Sequence, residues 1–472
     1  MKILLIRPET LGIFSYTNQI EHEPLELEYI YTVMQQNGHE AKIYDRRFDY
    51  TSLRKTLVTY RPDVVCISGY ITQQKLMMKL ASRIKKFDAG IYVILGGSNV
   101  EINYMNYYES EADFLYHLSG LSNLAKLVNR IGEVKLGEAK PSETKLGEAN
   151  RDEAKSVSYE DIDGICYRKD GKWVVNKKVT ESPEDLPIPD RTFFMQYRDK
   201  FRYTIFKPLA LVKNSYSCKK KCTFCYCTNR NGGAYACRSV ENLVDEIEAL
   251  DAPAIHITDD DFLVDRDYLW KFISLLEERN IHKKFLIYGR ADFIAANEDI
   301  IEAFAKVGLS LVMVGLEATD NSSLDSYNKR TTVDQNEECI RILNKYNVIV
   351  AGLLIVSMDM KKKDFDALYQ WMAKRPIIPT ISVFTPMQGS IMYKDYQDKM
   401  VNRDVTKQDL FHCLMKPDHM SVFRFTMLYY RLSIKIAWHK RKADIYSSVN
   451  FFEAFLFIIK VWAIKIKRIV AF

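Results

Sequence analysis

The chain has 472 residues, enough for roughly two to four domains and for a core that needs no disulfide staple. Hydrophobic residues make up 47% and charged residues 27%, a globular balance that excludes a chiefly disordered or fibrous chain. The formal charge of +6 sits at one end: residues 421–472 carry ten Lys or Arg against Asp444 and Glu453, so the bulk is slightly acidic and does not read as a nucleic-acid binder.

The first residues, Met1-Lys2-Ile3-Leu4-Leu5-Ile6, meet Arg7-Pro8-Glu9 too soon for the apolar part of a secretory signal. No apolar run approaches the ~18 residues of a spanning helix. Residues 2–7 then read as a short apolar strand and 25–37 as a helix stopped by Gly38. Strands follow at 41–44, 63–68 and 91–95, with a helix at 75–87. This βαβ pattern predicts a Rossmann-like domain over residues 1–130, with a parallel sheet covered on both faces. Ligands of such sheets lie at the carboxyl ends of the strands. Those ends carry Arg7-Pro8-Glu9-Thr10, Ser68-Gly69-Tyr70 and Gly96-Gly97-Ser98.

Residues 131–159 change character: KLGEAK at Lys135–Lys140 returns as KLGEAN at Lys145–Asn150. The stretch is read as a flexible, low-complexity insertion, with a solvated helix as the alternative. Residues 160–205 hold a small hairpin turning at Lys169-Asp170-Gly171 and then a Pro-rich crossover, Asp185-Leu186-Pro187-Ile188-Pro189-Asp190. Over 206–390 the alternation resumes, with strands at 209–214, 254–258, 284–288, 310–315, 348–356 and 380–384. Helices fall between them, at 240–250, 268–279, 299–307, 334–346 and 363–374. The pattern predicts a (β/α)6 partial TIM barrel whose site lies at the C-terminal strand ends. Residues 391–472 read as a helical, basic C-terminal region.

Four of the nine cysteines crowd between Cys218 and Cys227. That crowding reads as metal ligation in a reducing cytoplasm, not as a disulfide framework. Cys218, Cys222 and Cys225 form C-x3-C-x2-C directly after the first barrel strand. Three soft thiolates on one short loop suit three irons of a [4Fe–4S] cluster and leave the fourth iron open. The alternative is zinc, with Cys227 or His256 as fourth ligand, although zinc sites usually split two ligand pairs across a longer loop. Cys227 and Cys237 read as spare thiols. Lys219, Lys220 and Lys221 read either as partners of an anionic cluster or as a solvated charge run.

The cysteine loop, with Phe224 before its third Cys, resembles the signature of the radical S-adenosylmethionine (SAM) enzymes, specifically those with an N-terminal cobalamin-binding domain. Weaker pieces follow in the expected order. They are Glu23-Pro24-Leu25 leading to Asn37-Gly38-His39-Glu40, Asp63-Val64-Val65-Cys66-Ile67-Ser68, Leu95-Gly96-Gly97, the crossover, Ile257-Thr258-Asp259-Asp260-Asp261-Phe262, Val314-Gly315-Leu316-Glu317, and Thr385-Pro386-Met387-Gln388-Gly389-Ser390. The resemblance covers most of residues 1–395.

It implies that the open iron binds the amino and carboxylate groups of SAM, and that reductive cleavage gives a 5′-deoxyadenosyl radical that attacks an unactivated C–H. By the same resemblance, Asp259 or Asp260 would pair with the SAM ammonium, Arg290 with its carboxylate and Glu317, after Gly315, with ammonium or ribose. The bland reading is that these aspartates cap helices and that Arg and Glu form a salt bridge. Cobalamin would pass over Ser68, Gly69, Gly96, Gly97 and Ser98, where small residues permit close approach. The string Asp-x-His-x-x-Gly is absent, so no protein His on cobalt is implied. The reaction implied first is C-methylation; radical cyclisation, rearrangement or C–C coupling of a hydrophobic substrate is the enzyme alternative, and a metal-bearing scaffold the non-enzyme one. The partners are a small-molecule, lipid-like or peptide substrate and a one-electron donor of flavodoxin or ferredoxin type. Residues 451–472 mix large apolar side chains with Lys460, Lys465, Lys467 and Arg468. They suit either a terminal helix on the barrel or docking on an anionic membrane or acidic partner. The expected location is cytoplasmic with a membrane-associated option.

Overall fold

Short runs of Ile, Leu and Val make the first sheet, as the computed structural model shows; it describes residues 1–9, 20–138 and 158–440. Its strands are β1 (Lys2–Arg7), β2 (Glu40–Asp45), β3 (Val64–Ser68), β4 (Tyr92–Gly96), β5 (Phe114–Tyr116), β6 (Ile165–Lys169) and β7 (Lys172–Val175), in the order β2-β1-β3-β4-β5-β6-β7. The first five run parallel, and β6 and β7 are antiparallel to their neighbours. β1 is apolar nearly throughout because both faces are covered. Ile3 and Leu5 pack with Leu27, Met34, Leu127 and Ile131 on one face. Leu4 and Ile6 pack with Leu57, Met77, Leu80 and Ile84 on the other. Each fully buried side chain of this kind contributes about 1.5–3 kcal/mol.

Three features differ from expectation. The helix Leu53–Tyr60 and the three-residue strand β5 were not legible as elements; Ser52 starts the helix by accepting a hydrogen bond from the Lys55 backbone N–H. The hairpin expected between domains is the outer edge of the first sheet, because Ile165 and Tyr167 feed one core layer and Cys166 the other. The insertion expected to be flexible from 131 begins as helix: Ser122–Glu138 is continuous, and Lys135 bonds to Asp63 at 3.1 Å. Residues 139–157, with the second copy of the repeat, lie outside the described residues. The first compact unit consists of Met1–Glu9, Glu26–Glu181 and Asp185–Arg191.

The second unit is built on six parallel strands paired in chain order: β8 (Leu209–Val212), β9 (Ala254–Ile257), β10 (Lys284–Gly289), β11 (Leu309–Glu317), β12 (Ile349–Val356) and β13 (Ile378–Val383). This is an open (β/α)6 sheet of partial-barrel type. Several of its helices start on side-chain caps: Ser239 accepts from Asn242 N, Asp265 from Tyr268 N, and Thr332 exchanges a capping box with Gln335. One core cluster gathers Phe206, Leu209, Ala254, Leu286, Leu311, Met313 and Ala351. Beyond β13 the described chain is irregular apart from a few short turns and the helix Val422–Lys440. That helix buries Phe425, Tyr429, Leu432 and Ile436, and Tyr429 OH donates to the Ile381 carbonyl at 2.9 Å. The tail 441–472 lies outside the described residues. Among the described residues no helix is long and apolar enough to cross a membrane.

His256, on β9, is buried with neither ring nitrogen hydrogen-bonded. Its ring lies among those of His22, Tyr203 and Tyr288. Burial, helped by Lys213, lowers its pKa from 6.5 to about 3. The folded chain therefore keeps His256 neutral where the unfolded chain takes up a proton. Its contribution to stability is present above pH 6.5 and is lost as pH falls towards about 3, at up to about 1.4 kcal/mol per pH unit. The urea midpoint should fall between pH 7 and 4, and His256→Leu should flatten that slope. An unchanged slope in the variant would place the acid sensitivity elsewhere.

Candidate active site

The loop after β8 carries the three cysteines, and Asp259 at the end of β9 fixes where that loop begins. Its buried carboxylate accepts from Asn214 N at 2.9 Å, Asn214 Nδ2 at 3.0 Å and Ser215 N at 2.8 Å. Lys213 Nζ lies 3.8 Å away, and Tyr268 OH donates to Asn214 Oδ1 at 2.8 Å. Asp259 is thus engaged in anchoring the loop. Its neighbours differ: Asp260 Oδ2 and Asp261 Oδ1 are buried without hydrogen-bond partners. Burial, with Asp292 adding to it, raises the Asp261 carboxyl to about 7, so a share of it stays protonated at neutral pH.

Cys222 is buried beside two cations. Arg290 Nη1 stands 3.7 Å from its sulfur, within reach of an N–H···S bond. Burial raises the Cys222 thiol, and Lys329 and then Arg290 pull it back down. The Cys227 thiol hydrogen-bonds to Cys225, which holds the Cys225 pKa below its ordinary value against burial. The Cys227 backbone N–H also donates to Cys225 Sγ at 3.4 Å. Cys218 is raised by burial. Among the described residues no three His, Cys, Asp or Glu side chains close around a single ion. His256, offered above as a zinc ligand, lies in the ring cluster on β9 and not with the loop. A four-iron cluster asks something else of the loop, one thiolate for each of three irons, and the donor set fits it. Of the lysine run, Lys220 pairs with Asp292 at 3.4 Å, and Lys219 lies over the Tyr235 ring.

Arg290 does not reach outward. Nε donates to Asp292 Oδ1 at 2.9 Å, Nη2 to Asp292 Oδ2 at 3.2 Å, and Nη2 also to the Lys329 carbonyl. Glu317 ends β11 with φ at +57°. The register against β12 shifts between Gly315 and Glu317, a bulge that re-aims the carboxylate. Lys329 Nζ donates to Glu317 Oε1 at 2.8 Å, and both residues are buried. Burial alone would lower the Lys329 ammonium; Glu317 and Cys222 more than offset this and keep it charged. A Cβ on Gly315 would stand 2.3 Å from Glu317 Oε1 and 2.5 Å from Lys329 Nζ, so glycine there makes room for the pair. The sequence reading missed Lys329. It sits in the loop Asn328-Lys329-Arg330, whose outer residues both take positive φ, a feature the sequence does not announce. Phe224 meets the Tyr327 ring edge-on at 5.5 Å, next to the same loop.

In the first unit, Ser68 ends β3 before Gly69 and Gly96 ends β4 before Gly97-Ser98, at neighbouring carboxyl ends. Gly97 has φ at +98°, and a Cβ on it would stand 2.7 Å from Gly69 N and O and 3.0 Å from Ser68 Oγ. The two loops touch through backbone because Gly97 has no side chain. These two strand ends therefore present backbone and the Ser68 hydroxyl to whatever ligand lies at the carboxyl edge of the sheet.

Residues 215–372 match the Radical SAM superfamily, and residues 17–124 match the B12 binding domain. Over 418 residues the chain is 25% identical to the hopanoid C-3 methylase of Methylococcus capsulatus, covering 88% of this chain and 76% of that one. It is 23% identical to the anaerobic magnesium-protoporphyrin IX monomethyl ester cyclase of Rubrivivax gelatinosus, covering 78% of this chain and 64% of that one. Among solved structures, the cobalamin-dependent radical enzyme OxsB with aqua-cobalamin bound superposes with a TM-score of 0.63 at 17% identity, over 92% of this chain and 61% of that one. The methyltransferase TsrM from Kitasatospora setae, with cobalamin and a [4Fe–4S] cluster bound, gives 0.63 at 15% identity, over 85% and 79%. At these identities the two structures speak for the fold.

Proposed function

This chain belongs to the radical SAM superfamily, in its B12-binding methyltransferase group, and from that premise we propose that it methylates an unreactive carbon of a hydrophobic, lipid-like small molecule. The observation that carries the reading is the three-thiol loop, with buried Arg290 beside the Cys222 sulfur and the charge of Lys329 acting on the same thiol. When bound, the [4Fe–4S] cluster, SAM and cobalamin supply the electron, the radical precursor with its methyl source, and the methyl carrier. The chain's own residues do the rest. Cys218, Cys222 and Cys225 would hold the cluster. Arg290 and Lys329 place positive charge beside a thiolate that burial alone would protonate. Asp260 keeps a buried, unpartnered oxygen for the SAM ammonium, while Glu317 is pre-set by Lys329 towards ammonium or ribose. Gly97 and Ser68 would line the cobalamin tail. A one-electron donor of flavodoxin or ferredoxin type would reduce the site.

The methylase relative acts on a hopanoid and the cyclase relative on a porphyrin ester, as their names state. Both substrates are hydrophobic ring systems, which supports a lipid-like substrate over a peptide. Cyclisation is the second reading, favoured only by the cyclase relatives. Protein loaded with hydroxocobalamin should bind about one corrin per chain and, given reductant, a lipid extract and SAM with a deuterated methyl group, should place the label in the lipid fraction. Gly97→Val should remove the corrin while the cluster absorbance persists, since the side chain collides with Gly69 backbone at a positive φ that costs about 1–3 kcal/mol. SAM cleavage by fully loaded protein without label transfer would favour cyclisation. Full corrin binding by the Gly97 variant would move the cobalamin site away from these loops.

A further inference from the structure

The helix Val422–Lys440 buries one side and leaves the opposite side apolar. Phe423, Met427, Tyr430 and Ile434 are 76%, 54%, 40% and 69% exposed. Their spacing of three and four residues puts all four on one stripe. The stripe lies opposite Phe425, Leu432 and Ile436, which pack inward. Arg424, Arg431 and Lys435 run along one flank of it, and the helix has no Asp or Glu. Lys435 Nζ sits 3.6 Å over the Tyr369 ring, which leaves Arg424 and Arg431 as the outward cations. Scattered apolar residues on a surface need no explanation, but a continuous stripe does.

Three occupants fit an uncovered apolar stripe: the 32 residues that follow (441–472), a second copy, or a lipid surface. Charge decides among them. The following residues add Arg441, Lys442, Lys460, Lys465, Lys467 and Arg468 against Asp444 and Glu453, so they bear the same sign as the flank. A second copy would likewise set Arg424 and Arg431 against cations of its own. An anionic surface meets both the flank and the tail with opposite charge, and the stripe enters its apolar boundary. We propose that the outer face of Val422–Lys440 is a docking surface for an anionic lipid bilayer. The helix lies on the membrane and does not cross it: it is 19 residues long and carries four Lys or Arg.

The experiment uses the full chain with vesicles of phosphatidylcholine alone or mixed equally with phosphatidylglycerol. Wild-type protein should sediment with the mixed vesicles and not with the neutral ones, less so as salt rises. Phe423→Ser with Ile434→Ser should lower the vesicle partition coefficient at least about tenfold. Arg424→Gln with Arg431→Gln should lower it by about tenfold or more and shallow its salt dependence. Both pairs are exposed, so circular dichroism and cluster content should stay at wild-type values, which separates lost docking from lost folding. No binding by wild type overturns the proposal. Wild-type binding by both variants also overturns it and leaves the tail as the anchor. A wild-type dimer that the apolar variant makes monomeric, with no vesicle binding, assigns the stripe to a second copy and overturns it as well. The outcome is independent of the methylation reading, because vesicle binding needs neither SAM nor reductant.

Discussion

Cys222→Ala should abolish the iron–sulfur absorbance and reductive SAM cleavage together, leaving neither at a measurable level. The loop offers three thiolates for three irons, and none of the neighbouring side chains replaces a lost one. Arg290, Lys329 and Glu317 are polar but are committed to Asp292, the Lys329 carbonyl and one another. Cys227 is the nearest thiol, but its thiol is hydrogen-bonded to Cys225, and that bond pushes the Cys227 pKa well up, away from the thiolate a metal needs. Cys237 lies in the two-residue strand paired with Ser215–Tyr216 and is raised by burial. Cys227→Ala and Cys237→Ala should therefore keep iron, sulfide and SAM cleavage near wild-type levels. Anaerobic reconstitution with iron and sulfide analysis reads all three variants. Full iron content in Cys222→Ala would remove the loop from the cluster site. Loss of iron in Cys227→Ala would make the C-x-C step, and not the spacing read above, the ligand set.

What the sequence disclosed follows from the range of the interactions involved. The cysteine loop was legible because its three ligands lie within eight residues, so spacing alone carries the geometry. The barrel strands were legible because each is a mostly apolar run that stands out from its polar flanks, and the expected and observed bounds differ by a few residues at most. β5 was not, because three residues, Phe114–Tyr116, carry no periodicity. The hairpin was visible, but its place at the edge of the first sheet depends on Ile165 and Tyr167 pairing with Tyr116 and Phe114 and joining a core whose members run back to Ile3. At the site, Asp259, Asp260 and Asp261 read alike in sequence. Their surroundings separate them: Asp259 takes three hydrogen bonds from the Asn214-Ser215 turn, Asp260 keeps an unpartnered oxygen, and Asp261 is pushed towards neutrality. Arg290 was read as a ligand for a carboxylate, and the structure shows it held by Asp292 and turned to the Cys222 sulfur. Lys329 escaped because its partner, Glu317, is 12 residues away and reached only through a bulge and a tight loop.

Lys329→Met should destabilise the second unit by about 3–5 kcal/mol, the usual cost of leaving one member of a buried ion pair without its partner. The side chains of Lys329 and Glu317 are only 7% and 9% exposed, so water does little to screen the orphaned carboxylate. The pair occupies the space that a side chain at position 315 would need, since a Cβ on Gly315 would stand 2.3 Å from Glu317 Oε1 and 2.5 Å from Lys329 Nζ. Adding Glu317→Gln to Lys329→Met should recover more than half of the loss, because a neutral amide no longer needs the cation; replacing both charges of a buried pair is often nearly neutral. A double-mutant cycle on urea midpoints measures this coupling. Stability and chemistry should then part company. The double variant is expected to fold near wild-type stability, yet to assemble its cluster less readily, because Cys222 has lost one of the two cations that lower its thiol. Arg290 remains, so iron content should fall only in part, and the deficit should shrink as pH is raised during reconstitution and the thiol ionises unaided. If Lys329→Met unfolds no more easily than wild type, the pair is open to water and its role is confined to the cluster. If the double variant regains both stability and full iron content at neutral pH, the charge beside Cys222 is supplied by Arg290 alone.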